Sequence, residues 1–380
     1  MSNRYDVVVV GARVAGAMTA LHLARQGLEV LIVDRAGPPA DTVSTHALMR
    51  TGVLQLERAG LLQAVSASTP AVRRITLGFG TEPFTFDVKP EFGVGALYAP
   101  RRTLLDPVVL DAASSAGADV RLGASVVGLS RDRAGRVDGV TVRSGSSTST
   151  IGAGVVVGAD GRNSTIARLV DAPLERSYRA SSALVYTYFE GIPDVGYDFR
   201  FSPGMSTSAV STNGGVLLAA TVAAHAFDEP AATFERVFRS TAPDLAEAAA
   251  GARRVERYRF TPGIASFLRV PTGPGWVLVG DAGFTKDPLS AHGISCAFRD
   301  AELAAIAASA SVADPATEAQ AGWQYRSTRN RFAIPILENT VELASYRWDT
   351  HRASELMREL GRITDEECAF LTSRADRLVA

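Results

Sequence analysis

The run Tyr5–Val10 is short, rich in valine and stops on Gly11, the pattern of a strand buried on both faces of a sheet. Gly16 then opens a segment with apolar residues at Ala17, Leu21, Leu23 and Ala24, closed by Gly27; this spacing predicts a helix. A second apolar strand, Val30–Val33, ends on Asp34. Strand, glycine turn, helix, strand and acid in this order predict a βαβ unit that takes a dinucleotide. The helix start offers free N–H groups to a pyrophosphate, and the acid accepts from a ribose hydroxyl. The glycine pattern departs at one place: Arg13 stands where the second glycine of G-x-G-x-x-G is expected, and its Cβ could crowd the phosphate. Because strand, helix and acid all survive around it, the expectation is an intact turn with the side chain pointing outward. The other reading has the guanidinium approach a phosphate or a nicotinamide nucleotide.

Two more strand-to-turn segments lie far downstream. In Val155–Arg168 an apolar strand runs into Gly158-Ala159-Asp160-Gly161, with Asn163 and Ser164 as capping candidates for the helix that follows. In Trp276–Ala301 a short apolar strand breaks at Gly280-Asp281, passes through a Gly/Pro loop and resumes helical spacing from about Ile294. A strand that stops at Gly-Asp and reopens as a helix leaves unpaired N–H groups facing an anion, which suits a bound cofactor.

At 380 residues the chain exceeds one compact core, so two lobes and a helical tail are expected. The fold class is α/β: a discontinuous Rossmann-like cofactor domain (1–74, 97–177 and 263–312), a β-sheet-rich substrate domain (75–96 and 178–262) and a C-terminal helical segment (313–380). Helices are expected from Leu48 to Gly60 and over Leu104–Ala116. Strands are expected at Asp119–Leu122, Ser125–Ser130 and Val137–Arg143, with a hairpin loop at Ser144–Ser149. The second sheet should contain Ala183–Glu190, Tyr197–Phe201, Thr207–Ser211 and Val216–Val222, with Asn213-Gly214 as a hairpin turn. A net charge of −1 gives no reason to expect nucleic acid or an anionic membrane as partner. Cys296 and Cys368 are far apart and make no metal-ligand spacing, so no metal is expected, and a reduced, cytoplasmic setting is. Met1–Asp6 is polar, and no apolar run reaches the length of a membrane span.

Gly11–Gly16 with Asp34, the Gly158-Ala159-Asp160-Gly161-x-x-Ser164 segment, and Gly280-Asp281-Ala282 with Asp287-Pro288 and Gly293 resemble, in order and spacing, the three fingerprints of the class A flavoprotein monooxygenases, the p-hydroxybenzoate hydroxylase fold. The likeness covers the cofactor lobe only, and the tail looks too short and too helical for the thioredoxin-like domain of longer members. It implies an FAD-binding domain in which Gly11, Ala12, Ala15 and Gly16 face the pyrophosphate and Asp34, with Arg35 beside it, binds the adenosine ribose. Arg102 would lie near the flavin's phosphate or ribityl chain. Asp160 and Gly161 would belong to a motif linked with both FAD and NAD(P)H. Gly280 and Asp281 would hold the ribityl chain, with Pro288, Gly293 and Ile294 along the isoalloxazine ring. NADH or NADPH is the implied reductant, delivered directly or by a separate flavin reductase. Oxygen transfer through a flavin C4a-hydroperoxide would hydroxylate or epoxidise a small molecule.

His46 occupies the segment that borders the flavin ring in the resembled fold, which makes it the candidate catalytic or substrate-contacting residue. His22, His225 and His351 read as structural, and His292 as shaping the flavin turn. Tyr186, Tyr188, Phe189, Tyr197, Phe199 and Phe201 would suit a flat aromatic or polyketide-like substrate, although alternating aromatics in strands more often form plain core. A reductase of the FixC or geranylgeranyl-reductase type shares the same fingerprints and stays open, as does a non-catalytic FAD-containing binding protein. A halogenase is disfavoured, because Trp276, Trp323 and Trp348 are isolated and Lys286 lies inside the flavin turn itself.

Overall fold

The computed structural model describes residues 4–37, 41–80 and 82–378, with side chains described to residue 374. Strand Arg4–Val10 pairs in parallel with Val30–Asp34 on one side and with Ser147–Gly158 on the other. Trp276–Leu278 joins Ser147–Gly158, and Asp119–Leu122 joins Val30–Asp34, both in parallel. Burial on both faces is as the valine run predicts. Val7 and Val9 face one hydrophobic cluster with the helices Val14–Ala24, Arg102–Ser115 and Gly293–Ala313. Val8 and Val10 face another with Val126, Val140 and Val142 of the hairpin Ser125–Arg131/Val137–Ser144.

The register decides where the three glycine turns go. Val10 and Leu278 both sit beside Gly158, in adjacent parallel strands. All three strands therefore end at one level, and Gly11, Ala159 and Val279 leave the sheet together along its carboxyl edge, where open α/β sheets bind ligands. One expectation is corrected here. The loop foreseen at Ser144–Ser149 shrinks to the two residues between strands Val137–Ser144 and Ser147–Gly158. The latter strand is paired along its whole length, antiparallel to Val137–Ser144 in its first half and parallel to Arg4–Val10 in its second. The polar residues that read as loop are simply the solvent-exposed start of a long strand.

A second sheet runs in the order Phe84–Asp87, Arg74–Phe79, Tyr197–Ser202, Met205–Thr212, Gly215–Ala223, Ser182–Glu190 and Arg253–Arg254, with Arg259–Thr261 also on Ser182–Glu190. Alternation along the strands gives it two apolar faces. Ala183, Val185, Leu218 and Val222 pack on Phe234, Phe238 and Leu245 of helices Pro230–Thr241 and Pro243–Ala250. Leu184, Tyr186, Tyr188, Leu217 and Ala219 form a cluster on the opposite face. A small third sheet, Leu174–Tyr178 with Ser266–Arg269 and Phe284–Thr285, pins the loop that follows Gly280; the sequence reading did not foresee it.

The tail folds as helices Glu318–Ser345 and Thr350–Leu378, and it belongs to the core. Trp348 meets Phe201 of the second sheet edge-on, with ring centroids 6.3 Å apart, and its Nε1 donates to Leu343 O at 2.8 Å. Truncating a buried ring in a close-packed interior removes both its transfer free energy and its dispersion contacts. Trp348→Ala is therefore expected to destabilise the protein by about 3 kcal/mol, read from the urea midpoint at unchanged slope, and a loss below about 1 kcal/mol would mean that the tail rests on the core without supporting it.

Candidate active site

A cleft of about 460 Å³ opens at the carboxyl edge of the parallel sheet. It is lined by Gly11, Ala15, Asp34, Arg35, Arg102, Asp160, Gly161, Asp281, Pro288, Gly293, Ile294 and His46. Ala12, Gly16 and Gly280 stand behind its wall and give the turns their shape. Ala12 N–H donates to Asp34 Oδ2 at 2.7 Å, tying the glycine turn to the end of the second strand. A Cβ at residue 16 would lie 1.9 Å from the Gly11 carbonyl oxygen. Gly280, at φ +58°, would bring a Cβ to 2.9 Å from the Ala15 Cβ.

Arg13 occupies the helix N-cap at φ −81°, ψ −178°, a conformation that needs no glycine. Its Nη1 donates to Thr42 Oγ1 at 3.0 Å, so the turn is intact and the guanidinium is turned aside. Asp160 accepts from Thr165 N–H at 2.6 Å and from Ser164 Oγ, while Ser164 Oγ in turn accepts from Ala167 N–H at 2.9 Å. Of the two capping candidates, Ser164 caps the helix and Asn163 lines the cleft. Arg102 is fixed by a two-point pair with Asp106, Nε–Oδ1 2.6 Å and Nη2–Oδ2 3.0 Å, which aims a buried cation from the start of its helix toward the cleft.

The polar groups lining the cleft fit a flavin nucleotide. The helix Gly293–Ala313 begins without a side-chain cap, leaving N–H groups for an anion. Gly293 is exposed, and a Cβ built on it meets nothing within 4 Å. The protein's own packing does not require glycine there, so the space beside it is open to a ligand.

Along one wall of the cleft, the segment Asp41–His46 is stitched to the second sheet. His46 is buried and holds a left-handed backbone at φ +62°, an unfavourable conformation for a histidine that its surroundings must impose. Its Nε2 lies 2.5 Å from Tyr188 Oη, and its buried Nδ1 has no hydrogen-bond partner. Tyr186 Oη accepts from Ser44 N–H at 3.2 Å. The Arg101 guanidinium covers the Tyr188 ring at 4.2 Å and is held by Asp41 at 2.6 Å and by Glu256. Arg259 closes the cluster, 3.3 Å from Asp41 and 3.0 Å from Glu256. Of the aromatic residues considered for the substrate, Tyr186 and Tyr188 reach this wall. Tyr197, Phe199 and Phe201 lie in the main core and Phe189 packs on Phe234.

Residues 4–340 match the FAD binding domain family. The chain belongs to this family. It is an FAD-dependent oxidoreductase with the Rossmann-like fold expected from its three turns. Menaquinone reductase of Mycolicibacterium smegmatis is 30% identical over 323 residues, 80% of this chain and 76% of the relative. Kynurenine 3-monooxygenase of Salinispora arenicola is 30% identical over 334 residues, 78% of this chain and 71% of the relative. Two solved structures share the fold. The flavin-dependent brominase Bmp2 has a TM-score of 0.81 at 18% identity, covering 94% of this chain and 93% of its own. PqsL of Pseudomonas aeruginosa has a TM-score of 0.79 at 21% identity, covering 93% of this chain and 100% of its own.

Asp41, Arg101, Glu256 and Arg259 escaped the sequence reading, because four charges spread over more than 200 positions carry no local signature. Only the doublet Arg101-Arg102 offered a hint, with one residue turned to each side of the cleft wall. Three histidines of this oxidoreductase, His22, His46 and His292, are held neutral. Burial pushes His46 down to about 3, with Asp41 pulling the other way, and burial pushes His292 and His22 down to about 4. His292 sits in the turn before the helix Gly293–Ala313, its Nδ1 donating to Ser290 O and its Nε2 3.1 Å from Thr364 Oγ1 of the tail.

Two predictions follow from this geometry. Gly293→Val should leave the melting temperature of the apoprotein within about 2 °C while weakening FAD at least about tenfold by fluorescence titration; unchanged FAD affinity would mean that the space at Gly293 is not the cofactor's. The second concerns acid. The unfolded chain takes up protons on these histidines near pH 6.5, about their free value, whereas the folded chain does so only near 4 and below. Their stabilising contribution is thus complete above about pH 6.5 and lost on descent. Urea midpoints should fall between pH 7.5 and 5.5, and less steeply in His292→Gln; a flat profile in the parent protein would contradict neutral burial.

Proposed function

We propose that this oxidoreductase is a monooxygenase that takes electrons from NADH or NADPH and transfers one atom of dioxygen to a small aromatic or polyketide-like molecule. The substrate would lie between the ring end of the cleft and the Leu184–Tyr186–Tyr188 face, making residues 75–96 and 178–262 the substrate domain, 1–74, 97–177 and 263–312 the FAD domain, and 313–380 their common buttress. His46 is the observation that carries the reading. A neutral, water-excluded imidazole has one nitrogen engaged by Tyr188 and the other unpartnered, and it is held by a backbone conformation that its side chain alone would not choose. Bound FAD supplies the redox chemistry and the activation of oxygen. The protein's part is to orient a substrate hydroxyl or carbonyl on the free imidazole nitrogen and to keep water out. With its pKa so depressed, His46 serves as a hydrogen-bond partner more than as a general base.

A second reading is favoured by the likeness to menaquinone reductase, which extends over as much of this chain as the likeness to kynurenine 3-monooxygenase. In that case the same cleft would add two hydrogens to a quinone or another unsaturated substrate, and His46 would orient it. Anaerobic reduction by NADPH or NADH, then aeration in the presence of phenols or naphthoquinones, separates the two by mass spectrometry. A gain of one oxygen supports the monooxygenase, and a gain of two hydrogens before air is admitted supports the reductase. Failure of either nucleotide to reduce the flavin would point to electrons arriving from a separate flavin reductase.

His46→Ala should lower coupled product formation at least about tenfold, since misplacing a substrate by a fraction of an ångström is enough. The FAD dissociation constant should move less than about threefold in the same variant. Unchanged coupled turnover would remove His46 from the site.

A further inference from the structure

Lys286 is one of two lysines in a chain that otherwise uses arginine. It follows the short strand Phe284–Thr285 and precedes Pro288, so the third sheet fixes it at the ring end of the cleft. It is only 7% exposed and lines the cleft. Its Nζ lies 4.5 Å from the centroid of the Phe284 ring, and among the described residues it makes no ion pair or hydrogen bond. The neighbouring carboxylates have other roles. Asp287 accepts from Ser182 Oγ at 2.6 Å and from Leu289 N–H at 3.0 Å. Glu367 faces Arg299 at 3.6 Å. Asp281, which feels the lysine's charge at longer range, opens into the cleft.

A nearly buried ammonium with only an aromatic face for company is an unfavourable arrangement unless a negative charge joins it. FAD brings two candidates. The pyrophosphate belongs with the glycine turn at Gly11–Gly16, at the other end of the cofactor. The isoalloxazine is neutral when oxidised. Hydride transfer from a nicotinamide nucleotide makes it an anion, one hydride and both its electrons passing from NAD(P)H to FAD to leave NAD(P)⁺ and FADH⁻. The charge of Lys286 is also felt by His292 and Cys296, at the start of the helix Gly293–Ala313, which places it with the ring and not with the phosphates.

We propose that Lys286 is the counter-charge of the reduced flavin. It adds a full positive charge to the partial charge of the Gly293 helix start and so binds the reduced cofactor in preference to the oxidised one. This tunes the potential at which the enzyme accepts hydride. The inference rests on FAD occupancy alone, and it holds whether the electrons then go to oxygen or to a double bond.

The test compares holoenzymes carrying Lys286→Gln, Lys286→Met and Lys286→Arg. Removing the charge should weaken reduced FAD about tenfold relative to oxidised FAD, which is a fall of about 30 mV in the two-electron midpoint potential against reference dyes. Sulfite, which adds a negative charge to the oxidised ring, should bind about tenfold more weakly, while the Kd of oxidised FAD changes less than about threefold and Lys286→Arg behaves as the parent. An unchanged potential would overturn the proposal. So would equal weakening of both redox forms, which assigns Lys286 to the phosphates. Lys286→Met keeps the aliphatic stem, so packing survives where Gln disrupts it.

Discussion

The Gly11 carbonyl oxygen sits where a side chain at residue 16 would begin, and the Ala159 carbonyl oxygen sits 2.4 Å from where one at residue 11 would. These two contacts force glycine at both ends of the first turn, and they exist because three parallel strands finish in register. Val10, Gly158 and Leu278 stand side by side, and backbone bonds of 2.8 Å from Ala159 N–H to Val10 O and 2.9 Å from Val279 N–H to Gly158 O carry the alignment one residue beyond the sheet. A slip of one residue in any strand would turn its valines from one buried face to the other. The register is thus protected by the same burial that makes the strands, and the cofactor edge inherits its precision from the core.

That edge was legible in the sequence because each part is local. A valine run stopped by glycine, an acid at the end of the next strand and an uncapped helix start can each be read within about 20 residues, the span of a strand, its turn and the following helix. The Arg13 substitution was legible for the same reason: the intact turn around it implied that its position does not need glycine, and the extended ψ of the structure explains why. What lay beyond reach was the wall facing the ring. Alternation shows that Tyr186 and Tyr188 share one face of their strand and Val185 the other. Which of the two faces turns toward the cleft depends on helices Pro230–Thr241 and Pro243–Ala250 covering the opposite one. That is decided by packing between elements far apart in the chain, and no spacing reports it. Tyr197, Phe199 and Phe201 have the same composition and alternation, yet they close the main core because Trp348 and Tyr346 arrive from the tail.

The tail shows how a segment without any motif can still shape a site. Thr364 meets the His292 ring, and Glu367 faces Arg299, both side chains essentially without solvent exposure. Arg299 also pairs with Asp300 at 2.7 Å. Buried ion pairs of this kind add little net stability against apolar packing, but removing one partner leaves a charge stranded. Their value here is geometric. They lock the start of the Gly293–Ala313 helix, which lines the cleft, to a helix about 70 residues later, a separation that only the folded chain can close.

The same chain is similar to a menaquinone reductase and to a kynurenine 3-monooxygenase, so the FAD-binding fold alone does not decide what FAD then does. The difference must come from groups that face the ring. Among the described residues those groups fall into two kinds. Lys286 is a charge without an ion pair and favours the reduced form of the flavin. His46 and Tyr188 are neutral and paired, and act on whatever lies above it. Burial keeps the two roles apart: it holds the imidazole uncharged, so that it adds no second cation to the ring's surroundings, while the ammonium stays at the cleft wall against Phe284. A histidine that titrated near neutral pH in the same place would couple the flavin's potential to acidity and blur substrate orientation with redox tuning. With the imidazole held neutral, the choice between oxygen and a double bond is left to the shape and dryness of the Leu184–Tyr186–Tyr188 face, where the substrate itself completes the site.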